Sequence, residues 1–322
     1  MASSQQILVT GGAGFIGSHL VERLLAQGDQ VTIIDDFSTG RSENLAAVSH
    51  HPRLSIIRGK VSEYKGLDQL VSGVSAIYHL AAAVGVELVV KSPVNTIQTN
   101  LAETAAILEV ATRYRVPTLI TSSSEVYGKS LKAVFAEDDD LIIGPPTLGR
   151  WSYACSKLMD EFLALAYARE RGLPVVIARL FNTVGPRQVG HYGMVLPRFI
   201  AAAKARQPLR IFGDGRQSRC FCFVGDTVEA LTRLLSTSAA RSQVFNVGST
   251  EEITIRALAE LVLNVVGSPS TLQFVPYQEA YAPGFEDMRR RRPSVDKLEH
   301  VTSFRPRTPL RRIVEITAGE NS

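Results

Sequence analysis

A chain of 322 residues, 45% of them apolar, is long enough to bury one large or two modest cores and has the composition of a soluble α/β enzyme. No apolar run reaches membrane-spanning length, and the opening MASSQQILVT lacks a basic region followed by an apolar one, so a cytoplasmic protein without membrane contact is expected. The formal charge of +4 is unevenly spread over Arg289, Arg290, Arg291, Arg292, Arg305, Arg307, Arg311 and Arg312, which fits a solvated basic face or an anionic small molecule; nucleic acid is not expected, because no aromatics are interleaved for bases to stack on.

In chain order, Ile7–Val9 reads as a short buried strand, Gly11–Gly17 as a tight turn and His19–Gln27 as a helix. Val31–Ile34 is a second strand ending at Asp35 and Asp36. Ala76–Leu80 then reads as a strand, Leu101–Arg115 as an Ala-rich helix, Leu119–Ser122 as a strand, Tyr153–Arg171 as a long helix and Val175–Leu180 as a strand. Strands alternating with helices predict a Rossmann-type, doubly wound parallel sheet.

After Phe181 the texture changes to loops rich in Gly, Pro and Arg, as in NTVGPRQ, FGDGRQSR and RRRRPS, which predicts a smaller C-terminal α/β region that contacts ligand. Phe221–Leu235 reads as a strand and helix that rejoin the first sheet. The expected division is therefore 1–180 with about 218–240 for a dinucleotide, and 181–217 with 241–322 for the other substrate. Cys155, Cys220 and Cys222 form neither an even disulfide framework nor a CxxC pattern, so they read as reduced thiols, and no metal site is expected.

The glycine motif TGGAGFIG follows a strand, opens a helix and is answered by an acid on the next strand. Gly11 permits the turn, Gly14 lets backbone approach a pyrophosphate and Gly17 permits close helix packing. Asp35 is placed for the adenosine ribose hydroxyls and would repel a ribose phosphate, which favours NAD over NADP. Far downstream, Tyr153 and Lys157 lie four apart in RWSYACSK, on one face of a helix, where the ammonium is expected to lower the phenol's pKa. That pair suits oxidation of an alcohol.

Together with YHLAA (Tyr78–Ala82) and SSSEVYG (Ser122–Gly128), these motifs make the chain resemble the extended short-chain dehydrogenase/reductase family of nucleotide-sugar enzymes, over nearly its whole length. The resemblance implies NAD held by Gly11, Gly14, Phe15, Ile16, Gly17, Asp35, Leu80, Ala81, Ala82, Tyr153 and Lys157. It implies catalysis by Ser123 at the sugar O4, Tyr153 as base and Lys157 as its activator. It implies a UDP-sugar held by Ser124, Asn182, Arg187, Val195, Arg219 and Arg291, and a homodimer built on Leu101–Arg115 and Tyr153–Arg171.

Members share oxidation at C4 and diverge in the fate of the 4-keto sugar. Glu125 points to chemistry at C5 or C6, and Ser124, where 4,6-dehydratases commonly carry Asp, leaves no strong acid for a leaving hydroxyl. The runs FAEDDDLIIGPPTLGRWSYACSK and GFEDMRRRRPSVDK resemble UDP-glucuronate decarboxylases, with Arg291 as the catalytic arginine beside Glu125. A UDP-sugar 4-epimerase is the alternative, followed by a 4,6-dehydratase or a non-catalytic NAD-binding protein. Lys60 stands where the family usually places Asp near the adenine, and Ala83–Val90 is unusually apolar for a loop at a sugar pocket. His79 reads as structural, and Cys155 as a helix-packing residue turned away from Tyr153 and Lys157.

Overall fold

A computed structural model of the chain describes residues 4–83, 92–190, 194–276, 279 and 288–319. In chain order its first elements are β1 (Gln6–Thr10), α1 (Phe15–Gln27), β2 (Gln30–Asp35), β3 (Leu54–Arg58), α2 (Leu67–Ser72), β4 (Ala76–His79), α3 (Pro93–Tyr114), β5 (Thr118–Ser123), α4 (Ser152–Arg171) and β6 (Val175–Leu180). There follow β7 (Thr183–Val184), α5 (Val195–Lys204), β8 (Leu209–Phe212), β9 (Ser218–Cys220), β10 (Cys222–Phe223), α6 (Val224–Ser236), β11 (Gln243–Val247) and β12 (Glu252–Thr254). The last are α7 (Ile255–Val266), β13 (Leu272–Val275), α8 (Asp296–Thr302) and α9 (Leu310–Thr317).

Seven strands form one parallel sheet in the order β11-β6-β5-β4-β1-β2-β3. Alternate side chains of each strand go to opposite faces, and both faces are buried. Ile7 and Val9 of β1 pack with α1 and α6, through Leu20, Leu24, Val228 and Leu231. Leu8 between them packs on the other side with Ile107 and Leu108 of α3 and Ala164 of α4. The chain reverses direction across the sheet between β1 and β4, and a crevice opens there at the carboxyl ends of the strands.

A second core lies beyond this sheet. It joins Leu196, Phe199 and Ile200 of α5, Leu209 and Ile211 of β8, Leu258 and Val262 of α7, and Leu310 and Ile313 of α9.

The expected route back to the large sheet needs correcting. The strand at Cys222–Phe223 pairs with Thr183–Val184, not with the large sheet. The return is made by α6, packed against α1, and by β11, which pairs with β6 from Gln243↔Val176 to Val247↔Leu180. Residues 243–247, assigned from the sequence to the substrate region, are thus the seventh strand of the large sheet, and Val295 and Leu298 also pack into its core. A five-residue strand, QVFNV, with Gln243 and Val244 only half-buried gives little periodic signal of its own.

Candidate active site

The crevice holds a cleft of about 500 Å³. One end is built by the β1–α1 turn. Gly11 has φ +71°, and a Cβ there would stand 2.8 Å from the Ala81 backbone nitrogen; at Gly17 it would stand 2.1 Å from the Gly11 carbonyl oxygen. Side chains at these positions would push β1, α1 and β4 apart. Gly14 is the N-cap of α1, which therefore begins four residues earlier than the periodicity suggested, at Phe15, and presents its open N–H end to the cleft.

Asp35, at the end of β2, is buried and accepts hydrogen bonds from the Ala13 amide (2.8 Å) and the Phe37 amide (2.8 Å). Burial pushes its pKa up, against those two amides. Phe15, Ile16, Gly59, Lys60, Leu80, Ala81 and Ala82 complete this end of the cleft. Lys60 lines it while its ammonium pairs with Glu63 (3.1 Å). Every residue that the sequence assigned to the dinucleotide faces this cleft, and the turn has the close backbone and N-terminal amides that a pyrophosphate requires. These residues fit NAD.

The middle of the cleft is built by the end of β5 and the start of α4. The Ser123 hydroxyl caps the 3-10 turn Ser124–Tyr127, accepting from the Glu125 amide (3.2 Å), and lines the cleft with the Tyr153 phenol, whose pKa it acts to lower. Glu125 lies between two guanidiniums. Arg150 donates to both its oxygens (2.7 and 3.4 Å), and Arg291 donates to one of them (3.1 Å) and to the Ser124 hydroxyl (3.5 Å). All three side chains are largely buried, at 14%, 7% and 9% exposure. Burial by itself would raise the Glu125 pKa, but Arg291 and then Arg150 outweigh it and bring the carboxyl down to about 2.

Arg150 was not assigned a role from the sequence. The signal was present: Arg150 stands three residues before Tyr153, so a helical turn places the two on one side. The Arg150 guanidinium also lies 5.3 Å from the Trp151 ring, and Trp151 is packed so tightly against Gly144 that a Cβ there would be 2.0 Å from the indole nitrogen.

Tyr153 and Lys157 both line the cleft, but the expected lowering of the phenol's pKa is reversed. Burial and then the Glu125 carboxylate push it up, and the Lys157 ammonium is engaged by the Asp160 carboxylate at 2.8 Å. His79 is structural, as the sequence suggested. Its ring is bracketed by the hydroxyls of Thr10 (2.8 Å) and Thr104 (3.2 Å), and burial followed by the Lys157 charge lowers its pKa to about 3. Cys155 is turned away from the pair and is exposed in the single chain, so it does not pack within it as the sequence suggested.

The far end is lined by Asn182, Val195, Arg198, Phe212 and Arg219. The Asn182 amide donates to the Cys220 carbonyl (2.9 Å) and Arg219 to its neighbour's, Ser218 (2.7 Å). Arg187 is the exception among the expected substrate residues. Its backbone is left-handed (φ +70°), and its guanidinium turns onto α1, bonding Ser18 (3.1 Å) and Glu22 (2.6 Å). It is therefore a tie between the β7 loop and α1.

The arginine run divides the same way. Arg290 is bound outside by Glu252 (2.5 and 2.7 Å), whereas Arg291 turns in. Arg305, Arg307, Arg311 and Arg312 pair with Asp296, Glu299 and Glu315 as a solvated face. The apolar stretch after Ala83 lies outside the described residues. Among the described residues no cluster could hold a metal ion, and no helix is long and apolar enough to cross a membrane.

A dinucleotide turn, an acid on the second strand and a Ser-Tyr-Lys set at the switch point define an NAD-dependent oxidoreductase fold that works on an alcohol. The chain belongs to the NAD dependent epimerase/dehydratase family, whose model matches residues 7–248. It is 39% identical to the UDP-N-acetyl-alpha-D-glucosaminuronate decarboxylase of Bacillus cytotoxicus, over 94% of this chain and 93% of that protein. It is 38% identical to UDP-glucuronic acid decarboxylase 1 of Arabidopsis thaliana, over 95% of this chain and 67% of that one. Among solved structures, the UDP-glucuronic acid 4-epimerase of Bacillus cereus, in complex with UDP-glucuronic acid and NAD, superposes with a TM-score of 0.88 at 28% identity, covering 98% of each chain.

Proposed function

We propose that this protein decarboxylates a UDP-linked uronic acid through a 4-keto intermediate. The observation that carries the reading is Glu125 clamped between Arg150 and Arg291, beside Tyr153, in a chain whose curated relatives are decarboxylases of such sugars. An enzyme that only inverts C4 has no use for a buried carboxylate between two cations next to its base.

NAD held by the β1–α1 turn, Asp35, Tyr153 and Lys157 would supply the hydride-accepting and hydride-donating chemistry at C4. Tyr153 accepts the proton of the C4 hydroxyl, Ser123 holds the oxygen from which it comes, and Lys157 fixes the electrostatic setting of both. Once C4 is a ketone, the C6 carboxylate belongs to a β-keto acid. The C5–C6 bond breaks, its electron pair passes to the C4 carbonyl as an enolate, carbon dioxide leaves, and C5 takes a proton. Arg291 orients the departing carboxylate. Glu125, held ionised, orients a water that gives its proton to C5, and the hydroxide left behind passes to solvent. Asn182 and Arg219, at the far end of the cleft, hold the diphosphate, and Val195 flanks the base.

The enzyme acts in the cytoplasm, consistent with its free thiols, as a homodimer. Val94 and Ile97 of α3 and Met159 and Phe162 of α4 are large exposed apolar side chains on two helices that pack side by side, and a second copy would cover them. Replacing Met159 and Phe162 by Asp should convert a sedimenting dimer to monomer. A monomeric wild type at micromolar concentration would refute the assembly.

The functional test is incubation of the purified protein with NAD and UDP-glucuronate, its 2-acetamido counterpart, or UDP-glucose, following carbon dioxide, NADH absorbance and product mass. Loss of carbon dioxide from either acid supports the proposal. An unchanged mass with inverted C4 would replace it with epimerisation.

A further inference from the structure

Asp160 is a buried charge beside the reacting groups that the foregoing mechanism does not use. It lies three residues beyond Lys157 and seven beyond Tyr153, so all three share one face of α4. The Lys157–Asp160 pair is sealed from solvent, with side chains 3% and 0% exposed, and its Nζ to Oδ2 distance is 2.8 Å. The other carboxylate oxygen, Oδ1, is buried and has no hydrogen-bond partner among the described residues. A buried carboxylate with half its acceptor capacity unfilled is costly to maintain, and among the described residues its one side-chain hydrogen bond is to the lysine of the site.

The other charged groups nearby are accounted for separately. Glu161, next on the helix, accepts from Ser122 (2.5 Å) and from Arg179 (2.8 and 2.9 Å). Glu103 on α3 accepts from the Val61 amide (2.7 Å) and from Ser62 (3.2 Å). On β4, His79 is bracketed by two threonines, and beyond β5 Glu125 is held by Arg150 and Arg291. None of these pairs with Lys157, and none supplies Asp160 with a second donor.

We propose that Asp160 is a positioning residue for the oxidation step: it anchors the Lys157 ammonium to its own helix and neutralises its charge. It thereby sets how strongly that charge is felt by the Tyr153 phenol and by a cofactor in the cleft. The Asp160 charge already acts on Tyr153 in the direction that disfavours the phenolate. Because the nicotinamide ring is cationic only when oxidised, a buried carboxylate paired to a lysine of the cleft would favour NAD over NADH. An exposed ammonium would do the reverse. The chain thus holds its cofactor in the form that starts the cycle, and accepts a less acidic base in return.

This inference rests on the assignment of Tyr153 and Lys157 to the oxidation step, but its first readout needs no sugar. In Asp160→Asn, calorimetric titration with NAD and with NADH should show the affinity ratio shifted toward NADH by about tenfold, as expected for one charge removed about 12 Å from the ring at an effective dielectric near 20. The second readout is the pH dependence of NADH formation from the sugar nucleotide, whose acid limb should move to lower pH. If Asn at this position prevents folding, Asp160→Ser, which leaves room for a water beside the ammonium, should show the same two shifts. A ratio and a pH profile that superpose on the wild type, with only kcat or stability reduced, would make Asp160 a structural residue and overturn the proposal. Failure of every sugar substrate alongside a shifted cofactor ratio would indict the proposed function and leave the role of Asp160 standing.

Discussion

Changing Glu125 to Gln separates the two halves of the proposed reaction. The carboxyl is brought from 4.5 to about 2 by Arg291 and Arg150 against the cost of burial, a stabilisation of the ionised form worth about 3 kcal/mol in the folded state. Because the folded pKa is depressed, this contribution is fully present above about pH 4.5 and is lost as pH falls toward about 2. Urea denaturation at neutral pH should therefore find the variant less stable by about 3 kcal/mol, and the gap should narrow by roughly 1 kcal/mol near pH 3.5. In activity, carbon dioxide release should fall by about 10² to 10⁴-fold, the usual worth of a positioned acid–base group. NADH formation should persist, with its acid limb at lower pH, because the Glu125 charge that raises the Tyr153 pKa is gone. Unchanged carbon dioxide release, or equal loss of both half-reactions, would refute the division of labour between Glu125 and Tyr153.

Arg150→Leu removes the shorter of the Glu125 ion pairs, 2.7 Å against 3.1 Å, and leaves the carboxyl with one cation. Its pKa should rise, and the acid limb of carbon dioxide release should move to higher pH, as read from initial rates across a buffer series. Tyr153→Phe should abolish NADH formation and carbon dioxide release together while NAD binding, measured by calorimetry, is retained. Gly17→Ala places a methyl 2.1 Å from the Gly11 carbonyl oxygen, a clash with backbone that no rotamer relieves. It should cost about 1–3 kcal/mol in denaturant unfolding and weaken NAD binding with it.

The parts of the site that were legible in the sequence are those in which chemistry and geometry coincide on one element. Tyr153 and Lys157 follow from helical period, and Gly11, Gly14 and Gly17 from a turn that only glycine fits. What helical spacing alone could not show is competition for the ammonium. The same period that pairs Lys157 with Tyr153 also pairs it with Asp160, and the carboxylate won. Arg187 failed for a different reason: it lies in a loop with the right composition, but its positive φ aims the guanidinium at Glu22. Orientation in a loop depends on backbone dihedrals that residue type does not encode. Arg291, assigned from a whole matching segment and not a single position, does lie in the cleft against Glu125.

The seventh strand has a consequence for how this chain reaches its native state. β11 closes the open edge of β6 only after the chain has left the sheet at Leu180 and returned at Gln243. Until that return, β6 offers an unpaired row of amides and carbonyls along an apolar strand, a template for another chain. The two cores therefore cannot mature as independent units: β11 must thread back past the second core before the first is sealed, and such distant pairing slows folding. Residues 1–180 produced alone would keep that edge open. They should aggregate on refolding under conditions in which the full chain stays in solution, and light scattering during dilution from denaturant would show it.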